Sequence, residues 1–167
     1  MTPRRILLIC LFFWCFGIVA TPFLASREGI ASIAAEFSYR FFSHVCHQLE
    51  SRSFHLAGYK FAVCIRCFSI YTAFFLGVLF SPSIGRTKLA AMSPRYLLAA
   101  SLLPMAADVG LSYFGVWEST MLTRIVTGSI FGFILSVVLT KDLEGTIHYI
   151  FLQLKTIVRT SYATKTR

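Results

Sequence analysis

Charged residues are scarce in this chain of 167 residues: they make up 14% of it, and only 7 residues are acidic. Soluble domains carry about 25% charged and about 45–50% apolar residues, whereas 56% of this chain is hydrophobic and 16% is aromatic. A chain this short cannot bury so much apolar surface in a core of its own. The composition therefore excludes an ordinary soluble enzyme and a disordered chain, and it predicts a protein that lies in a membrane.

Cysteines and clustered basic residues are also too few for two other classes of protein. Five cysteines do not suffice for a disulfide-dense secreted miniprotein. The 16 Lys and Arg residues give a net charge of +9, but they lie between apolar runs and form no dense basic stripe. Basic flanks of membrane spans explain this distribution more simply than a nucleic-acid surface. We predict the lipid bilayer as partner and no nucleic acid, and we leave a membrane-protein partner or a homo-oligomer open.

Four apolar runs are long enough to cross a bilayer, which requires about 20 helical residues. The first run follows Arg4 and Arg5, a pattern that is also typical of a signal anchor. The runs predict an all-α, polytopic membrane helix bundle that forms a single membrane domain over residues 1–167. The predicted spans are residues 6–25, 62–80, 96–116 and 121–140.

The Lys and Arg residues between the spans are unevenly distributed. With the N-terminus in the cytoplasm, ten of them lie on the inner side and only Arg27, Arg40, Arg52 and Lys60 lie on the outer side. Loops on the cytoplasmic side of membrane proteins are enriched in Lys and Arg. The bias therefore predicts a multi-pass protein of the plasma (inner) membrane with both termini in the cytoplasm.

The outer loop, residues 26–61, and the cytoplasmic tail, residues 141–167, each show a helical repeat of apolar residues. The tail repeat predicts a basic amphipathic helix that anionic lipids partly hold. The loop repeat predicts an amphipathic helix that either lies at the outer membrane surface or packs on the bundle. In the loop the repeat consists of Ile30, Ile33, Ala34, Phe37 and Phe41.

Cysteine and histidine cluster where the outer loop meets the second span. Cys64 and Cys67 form a Cys-x-x-Cys motif, and Cys46 and His47 precede it by about one loop length. A Cys-x-x-Cys turn brings two sulfurs within reach of one ion, and a second pair of ligands completes a tetrahedral site. These four residues predict a metal site, with zinc as the ion. Because adjacent side chains point in different directions, His44 is an alternative to one of the first pair.

Two other interpretations of the same cysteines remain open. The predicted topology exposes them to an oxidising compartment, so Cys64 and Cys67 could be the redox pair of a membrane thiol–disulfide oxidoreductase. Arg66 between them would lower their pKa values, but it would equally stabilise thiolate metal ligands. A disulfide from Cys46 to Cys64 or Cys67 would only close the loop. The spacing does not decide between the three.

Ionisable residues inside the spans indicate a polar site. Such residues are costly in a membrane and usually face a partner or a cavity. Asp108 lies in the third span and Arg124 in the fourth. A short link joins these two spans, so we predict an ion pair between the two residues. All the candidates map to the outer half of the bilayer, and they predict a supporting polar site that consists of Arg52, Arg66, Asp108, Glu118 and Arg124.

Two further features of the fourth span concern packing. The segment Glu118-Ser119-Thr120 predicts an N-cap for its helix. Gly128 and Gly132, four residues apart, predict a face for close helix packing. Small size and a glycine face also suit a small accessory subunit of a membrane complex, which is a further alternative for the function.

The motif residues occur together in a combination that resembles a known family. They are Cys46-His47-Gln48, Arg52-Ser53-Phe54, Gly58, Cys64-x-Arg66-Cys67 and Tyr71, followed by Asp108, Glu118-Ser119-Thr120, Arg124, Thr127-Gly128 and Gly132. This set resembles the family of small prokaryotic membrane proteins called domain of unknown function 2085, over about residues 40–140. The resemblance implies a polytopic membrane protein and assigns no reaction to it.

Overall fold

The structure is a computed structural model that describes residues 2–84 and 92–165. In this part of the chain, four helices are long and apolar enough to cross a membrane. In chain order the elements are α1 (Pro3–Ala25), α2 (Ile30–Ser43), a 3-10 helix (Glu50–Arg52), β1 (Ser53–Leu56), β2 (Tyr59–Cys64), α3 (Ile65–Ile84), α4 (Pro94–Tyr113) and α5 (Met121–Lys165). The predicted helix bundle is confirmed, and one small two-stranded sheet is added to it.

The second membrane helix starts later than the sequence predicts. Ala62 and Val63 belong to the apolar run, but they lie in strand β2, and α3 begins at Ile65. They lie between Lys60 and Cys64, which pair with β1, in a stretch where the register of the hairpin is irregular. The carbonyl oxygen of Ala62 accepts a hydrogen bond from the Gln48 side chain instead. Both are fully buried in the core, which explains why these two positions are apolar.

The fourth membrane helix continues into the predicted tail. Helix α5 has 45 residues, which corresponds to about 68 Å and to more than twice the thickness of a hydrocarbon core. The tail is therefore not a separate helix on the membrane surface. The helix contains no proline, and a single glycine such as Gly145 does not end a helix. The last two residues of the predicted tail, 166 and 167, lie outside the described residues.

Helix α2 confirms the amphipathic helix that was predicted within residues 26–61. Ala35 and Phe42 are buried, and the helix packs on α1 through this side. Its predicted apolar stripe faces away from the bundle, since Ile30 is 86% and Phe37 is 71% exposed. A stripe of this kind is expected where a helix contacts lipid at a membrane surface.

Helices α3 and α5 form the closest contact of the bundle, and glycines make it possible. A Cβ atom at Gly132 would lie 2.2 Å from the carbonyl oxygen of Ile70, and one at Gly128 would lie 2.8 Å from that of Arg66. On the other helix, a Cβ atom at Gly77 would meet the Ser136 side chain. The predicted small-residue face on α5 is confirmed, and it fixes the position of α3.

The helices alternate in direction, which defines two ends of the bundle. At one end Arg4 of α1 donates hydrogen bonds to the carbonyl oxygens of Val78 (3.3 Å) and Leu79 (2.6 Å) in the last turns of α3. At the other end α1 and α4 finish, α3 and α5 start, and the β-hairpin packs on α1. We call this the hairpin end, and all the candidate site residues lie there.

Candidate functional site

The β-hairpin connects the segment that contains α2 to the membrane helix α3. Strands β1 and β2 are antiparallel and are joined by Ala57 and Gly58, whose φ values are 53° and 82°. Two positive φ values in a two-residue loop are typical of a type I′ turn, which matches the twist of the strands. The turn brings Cys64, the last residue of β2, opposite Ser53 at the start of the hairpin.

Three cysteines from three elements converge at this point. Cys46 lies in the loop after α2, Cys64 ends β2, and Cys67 lies in the first turn of α3. Their sulfur atoms are all within 4.8 Å of one another, and all three thiols are free. The predicted association of the Cys-x-x-Cys motif with Cys46 is therefore present in the structure.

The sulfur of Cys46 accepts hydrogen bonds from the backbone. The N–H group of Cys64 lies 3.1 Å from it, and the N–H group of Gln48 lies 3.5 Å from it. The pKa of the Cys46 thiol is lowered well below its ordinary value, chiefly by hydrogen bonds with the Cys64 and Cys67 thiols and further by these two N–H groups. Because these donors stabilise a thiolate, the pocket is suited to a sulfur ligand that carries negative charge.

The cluster lies against the hydrophobic core of the hairpin end. Cys46 is 6% exposed and belongs to a core that contains Ile18, Phe42, Ala62 and Val63. Trp14 and Tyr71 are partly buried side chains on this core, and their rings make an edge contact with centroids 5.6 Å apart. Water and protein thiols therefore have little access to the Cys46 sulfur.

The histidines that the sequence singled out do not reach the cluster. His47 is exposed, and within the described residues the group of converging ligand atoms consists of the three cysteines. His44 is also exposed, and its Nδ1 atom lies 3.0 Å from the carbonyl oxygen of Arg40 on its own helix. A histidine as fourth metal ligand stays a prediction.

Gln48 is a structural residue of the site whose role the sequence did not indicate. Its side-chain Nε2 atom donates hydrogen bonds to the carbonyl oxygens of Tyr39 on α2 and Ala62 on β2, both at 2.7 Å. Its own carbonyl oxygen accepts a hydrogen bond from Lys60 at 3.1 Å. With a φ of 50°, Gln48 also turns the backbone after Cys46. The position of Gln48 in the Cys46-His47-Gln48 motif was the only feature of the sequence that could have drawn attention to it.

We expect Gln48→Glu to destabilise the hairpin end by about 1–3 kcal/mol. The substitution removes both N–H donors and turns a carboxylate toward two backbone carbonyl oxygens. The measurement is thermal unfolding of the purified protein in detergent. Gln153→Glu is the matched control, because Gln153 is exposed and bonds only to Tyr149 among the contacts seen for it. Equal unfolding temperatures for the two variants would contradict the role of Gln48.

The intramembrane ion pair differs from the predicted one. Asp108 of α4 pairs with Arg66 of α3, not with Arg124. Arg66 lies in the first turn of α3, which packs closely on α5 at Gly128, and its side chain reaches Asp108 from there. The Asp108 side chain is 7% exposed and that of Arg66 is 19% exposed, so the pair is largely shielded from solvent.

Ser119 connects the ion pair to Arg124. Its hydroxyl group donates to Asp108 at 2.8 Å and accepts from the Nε atom of Arg124 at 3.1 Å. The sequence interpreted Ser119 only as part of a helix cap, and the capping residue is in fact Thr120, whose Oγ1 atom accepts from the N–H group of Thr123 at 3.2 Å. Ser119 is therefore free to join the two arginines to one carboxylate.

The remaining members of the predicted polar site divide into two groups. Arg52 is exposed, but it lines the same cavity as Arg66, Ser119 and Arg124. Glu118 is exposed and does not line that cavity. Four of the five predicted residues thus lie at or beside this cavity, and Ser119 joins them as an addition that the sequence did not indicate.

Comparison with known proteins agrees with this combination of fold and motifs. Residues 46–138, more than half of the chain, match the family model described as a predicted membrane protein, DUF2085. The chain belongs to this family of membrane proteins of unknown function. The matched region contains the three clustered cysteines, the Arg66–Asp108 pair and the glycine face of α5.

Two archaeal proteins are similar to the chain. An uncharacterized protein of Methanocaldococcus jannaschii is 39% identical over 95 residues, which are 57% of this chain and 61% of that protein. An uncharacterized protein of Methanothermobacter thermautotrophicus is 36% identical over 110 residues, which are 65% of this chain and 96% of that protein. The match thus spans about three fifths of the first relative. No solved structure matches the chain.

Proposed function

We propose that this membrane protein holds a zinc ion through the thiolates of Cys46, Cys64 and Cys67. The observation that supports the proposal is the convergence of three sulfur atoms from three elements within 4.8 Å. Zinc–sulfur bonds of about 2.3 Å in a tetrahedral site separate the sulfurs by about 3.8 Å. Only small adjustments of the side chains are therefore needed to bind the ion.

The role that fits this site best is a structural one. The ion would join the loop after α2, strand β2 and helix α3, and it would stabilise the fold of the hairpin end. The fourth coordination position is open to water, to a small ligand or to His47 after a change of its conformation. Three-ligand zinc sites also occur in enzymes, but no carboxylate or histidine accompanies the cysteines in the ligand group formed by the described residues.

We further propose that the hairpin end faces the outside of the plasma membrane and that both termini are cytoplasmic. The excess of Lys and Arg on the opposite side supports this orientation. In that compartment unprotected cysteine pairs tend to form disulfides, so a bound metal would keep the three thiols reduced. The alternative is a thiol–disulfide oxidoreductase that uses Cys64 and Cys67; the convergence of a third sulfur, that of Cys46, favours the metal site over it. A protein partner or a second copy stays a prediction.

Metal analysis of the purified protein, combined with thiol counting, tests the proposal. We expect about one zinc ion per chain in the wild type and nearly none in Cys46→Ser or Cys67→Ser, because two sulfurs bind zinc much more weakly than three. Cys10→Ser is the matched control, because Cys10 is an exposed cysteine of α1 outside the cluster, and it should keep its zinc. His47→Ala should also keep most of it.

A measurement on the wild type tests the proposal even if the cysteine variants do not fold. Protein that is stripped of zinc and loaded with Co²⁺ should show a thiolate-to-cobalt charge-transfer band, because sulfur ligands give this band and oxygen or nitrogen ligands do not. Wild-type protein that purifies without zinc and with a disulfide between Cys64 and Cys67 would contradict the proposal and support the oxidoreductase.

A further inference from the structure

A small cavity at the hairpin end lies beside the Arg66–Asp108 ion pair and is not part of the cysteine cluster. Its volume is about 100 Å³. Its wall is formed by the start of α3, the last turns of α4 and the start of α5, with one residue from the 3-10 helix before the hairpin. The polar lining residues are Arg52, Arg66, Ser112, Tyr113, Ser119 and Arg124.

The charges around this cavity do not balance. Three guanidinium groups line it, and the adjacent carboxylate, Asp108, is paired with one of them, Arg66. Within residues 2–84 and 92–165, no carboxylate lies within ion-pair distance of Arg52 or Arg124. About two positive charges are therefore left without a neutralising group in a space a few ångströms wide, where like charges repel one another.

Arg66 also has a donor that lacks an acceptor. Its Nη2 atom bonds to Asp108 and lies 3.4 Å from the Ser119 hydroxyl. Its Nε atom is buried and has no hydrogen-bond partner in the described part of the chain. A buried N–H group of a charged side chain that makes no hydrogen bond is costly, and such groups often indicate a ligand or ion that completes the site.

We infer that this cavity binds a phosphate-type oxyanion, either free or as part of a lipid headgroup. Its volume equals the liquid volume of about three water molecules, which suits one tetrahedral oxyanion and excludes a large organic ligand. Guanidinium groups bind oxyanions through charge-assisted hydrogen bonds. A phosphate group has enough oxygens to accept from three separate arginines, whereas a carboxylate has two. Asp108 does not repel the anion strongly, because its charge is compensated by Arg66.

The test is calorimetric titration of the full chain in neutral detergent with inorganic phosphate at constant ionic strength. We expect saturable binding to the wild type. Arg52→Gln should weaken it about tenfold, because it removes one charge-assisted contact, and Arg52→Gln/Arg124→Gln should abolish it. Arg52 is exposed, and its side chain makes no hydrogen bond among those seen in the described residues, so its substitution should not affect folding. Arg40→Gln, an exposed arginine of α2 outside the cavity, is the matched control and should bind phosphate like the wild type.

A second titration separates the two sources of the anion. Short-chain phosphatidic acid, added below its micelle concentration, replaces inorganic phosphate. Tighter binding of the lipid with the same dependence on Arg52 identifies a headgroup site, and equal or weaker binding identifies a site for free phosphate. Absence of binding for both probes would overturn the inference. An equal loss of affinity in the Arg52 and Arg40 variants would also overturn it, since the effect would then reflect net charge alone.

The inference does not depend on the metal. The cavity is lined by arginines and hydroxyl groups, not by the cysteines. Arg52→Gln should therefore weaken phosphate binding by the same factor in the Cys10→Ser protein and in zinc-free protein. If phosphate binding disappears with zinc while the protein stays folded, the anion binds to the ion itself and the cavity assignment is wrong.

Discussion

Gly132→Val is expected to prevent α3 and α5 from packing and to leave little folded protein. Even the first added atom, a Cβ atom, would lie 2.2 Å from the carbonyl oxygen of Ile70 and within 3 Å of two more backbone atoms. A helix backbone cannot yield as a flexible side chain can, so the helices must separate. Overpacking in a core typically costs about 1–3 kcal/mol, and a contact with backbone lies at or above the upper end of that range. The measurement is the yield of monodisperse protein in detergent, with the thermal unfolding temperature of the fraction that folds.

Alanine variants give the matched comparison for this prediction. Gly132→Ala should unfold at a clearly lower temperature than the wild type. Gly145→Ala on the same helix meets no atom within 4 Å, and it should be neutral or slightly stabilising, because alanine favours a helix by about 1 kcal/mol over glycine. If Gly132→Ala is as stable as Gly145→Ala, the close contact between α3 and α5 is not what holds the bundle together.

Asp108→Ala is expected to destabilise the hairpin end by about 3–5 kcal/mol. The substitution leaves the charge of Arg66 without its carboxylate in a largely buried position, and such unpaired charges are among the costliest defects in a folded protein. It also removes the acceptor of the Ser119 hydroxyl group. Unfolding in mixed micelles with increasing amounts of denaturing detergent measures the loss. Asp142→Ala is the control, because Asp142 is an exposed aspartate of α5.

A double substitution shows whether Asp108 stabilises the protein through its ion pair with Arg66 or through some other contact. Replacing a buried pair by apolar residues is often neutral or stabilising, so Arg66→Leu/Asp108→Leu should recover much of the stability that Asp108→Ala loses. The coupling energy between the two sites should be large, as it is for residues in direct contact. Additive effects of the two single substitutions would contradict the pairing.

The sequence predicted the membrane helices well because each one is an uninterrupted apolar run, a local property. It failed at Ala62 and Val63, because an apolar run does not reveal that the turn at Ala57-Gly58 makes these residues part of strand β2. It also divided α5 at Lys141, where the composition changes from apolar to mixed. A change of composition does not end a helix when no proline or cap residue interrupts the backbone.

The sequence predicted the residues of the candidate site better than it predicted the contacts between them. The sequence correctly predicted that Cys46, Cys64 and Cys67 lie close together, because a Cys-x-x-Cys motif and a third cysteine in the same loop are a short distance apart along the chain. The partner of Asp108 could not be predicted, since Arg66 and Arg124 are both near in the topology. In the structure Asp108 pairs with Arg66, and the Ser119 hydroxyl group links it to Arg124. The bridging roles of Gln48 and Ser119 depend on tertiary contacts that have no local pattern.

Zinc X-ray absorption of the purified wild-type protein tests the central claim most directly, because it reports the ligands of the metal itself. We predict a first shell with three sulfur atoms at about 2.3 Å and one lighter atom at about 2.0–2.1 Å. The Cys10→Ser protein should give the same spectrum. A shell of oxygen and nitrogen only, or protein that carries no zinc and contains a disulfide among Cys46, Cys64 and Cys67, would contradict the claim.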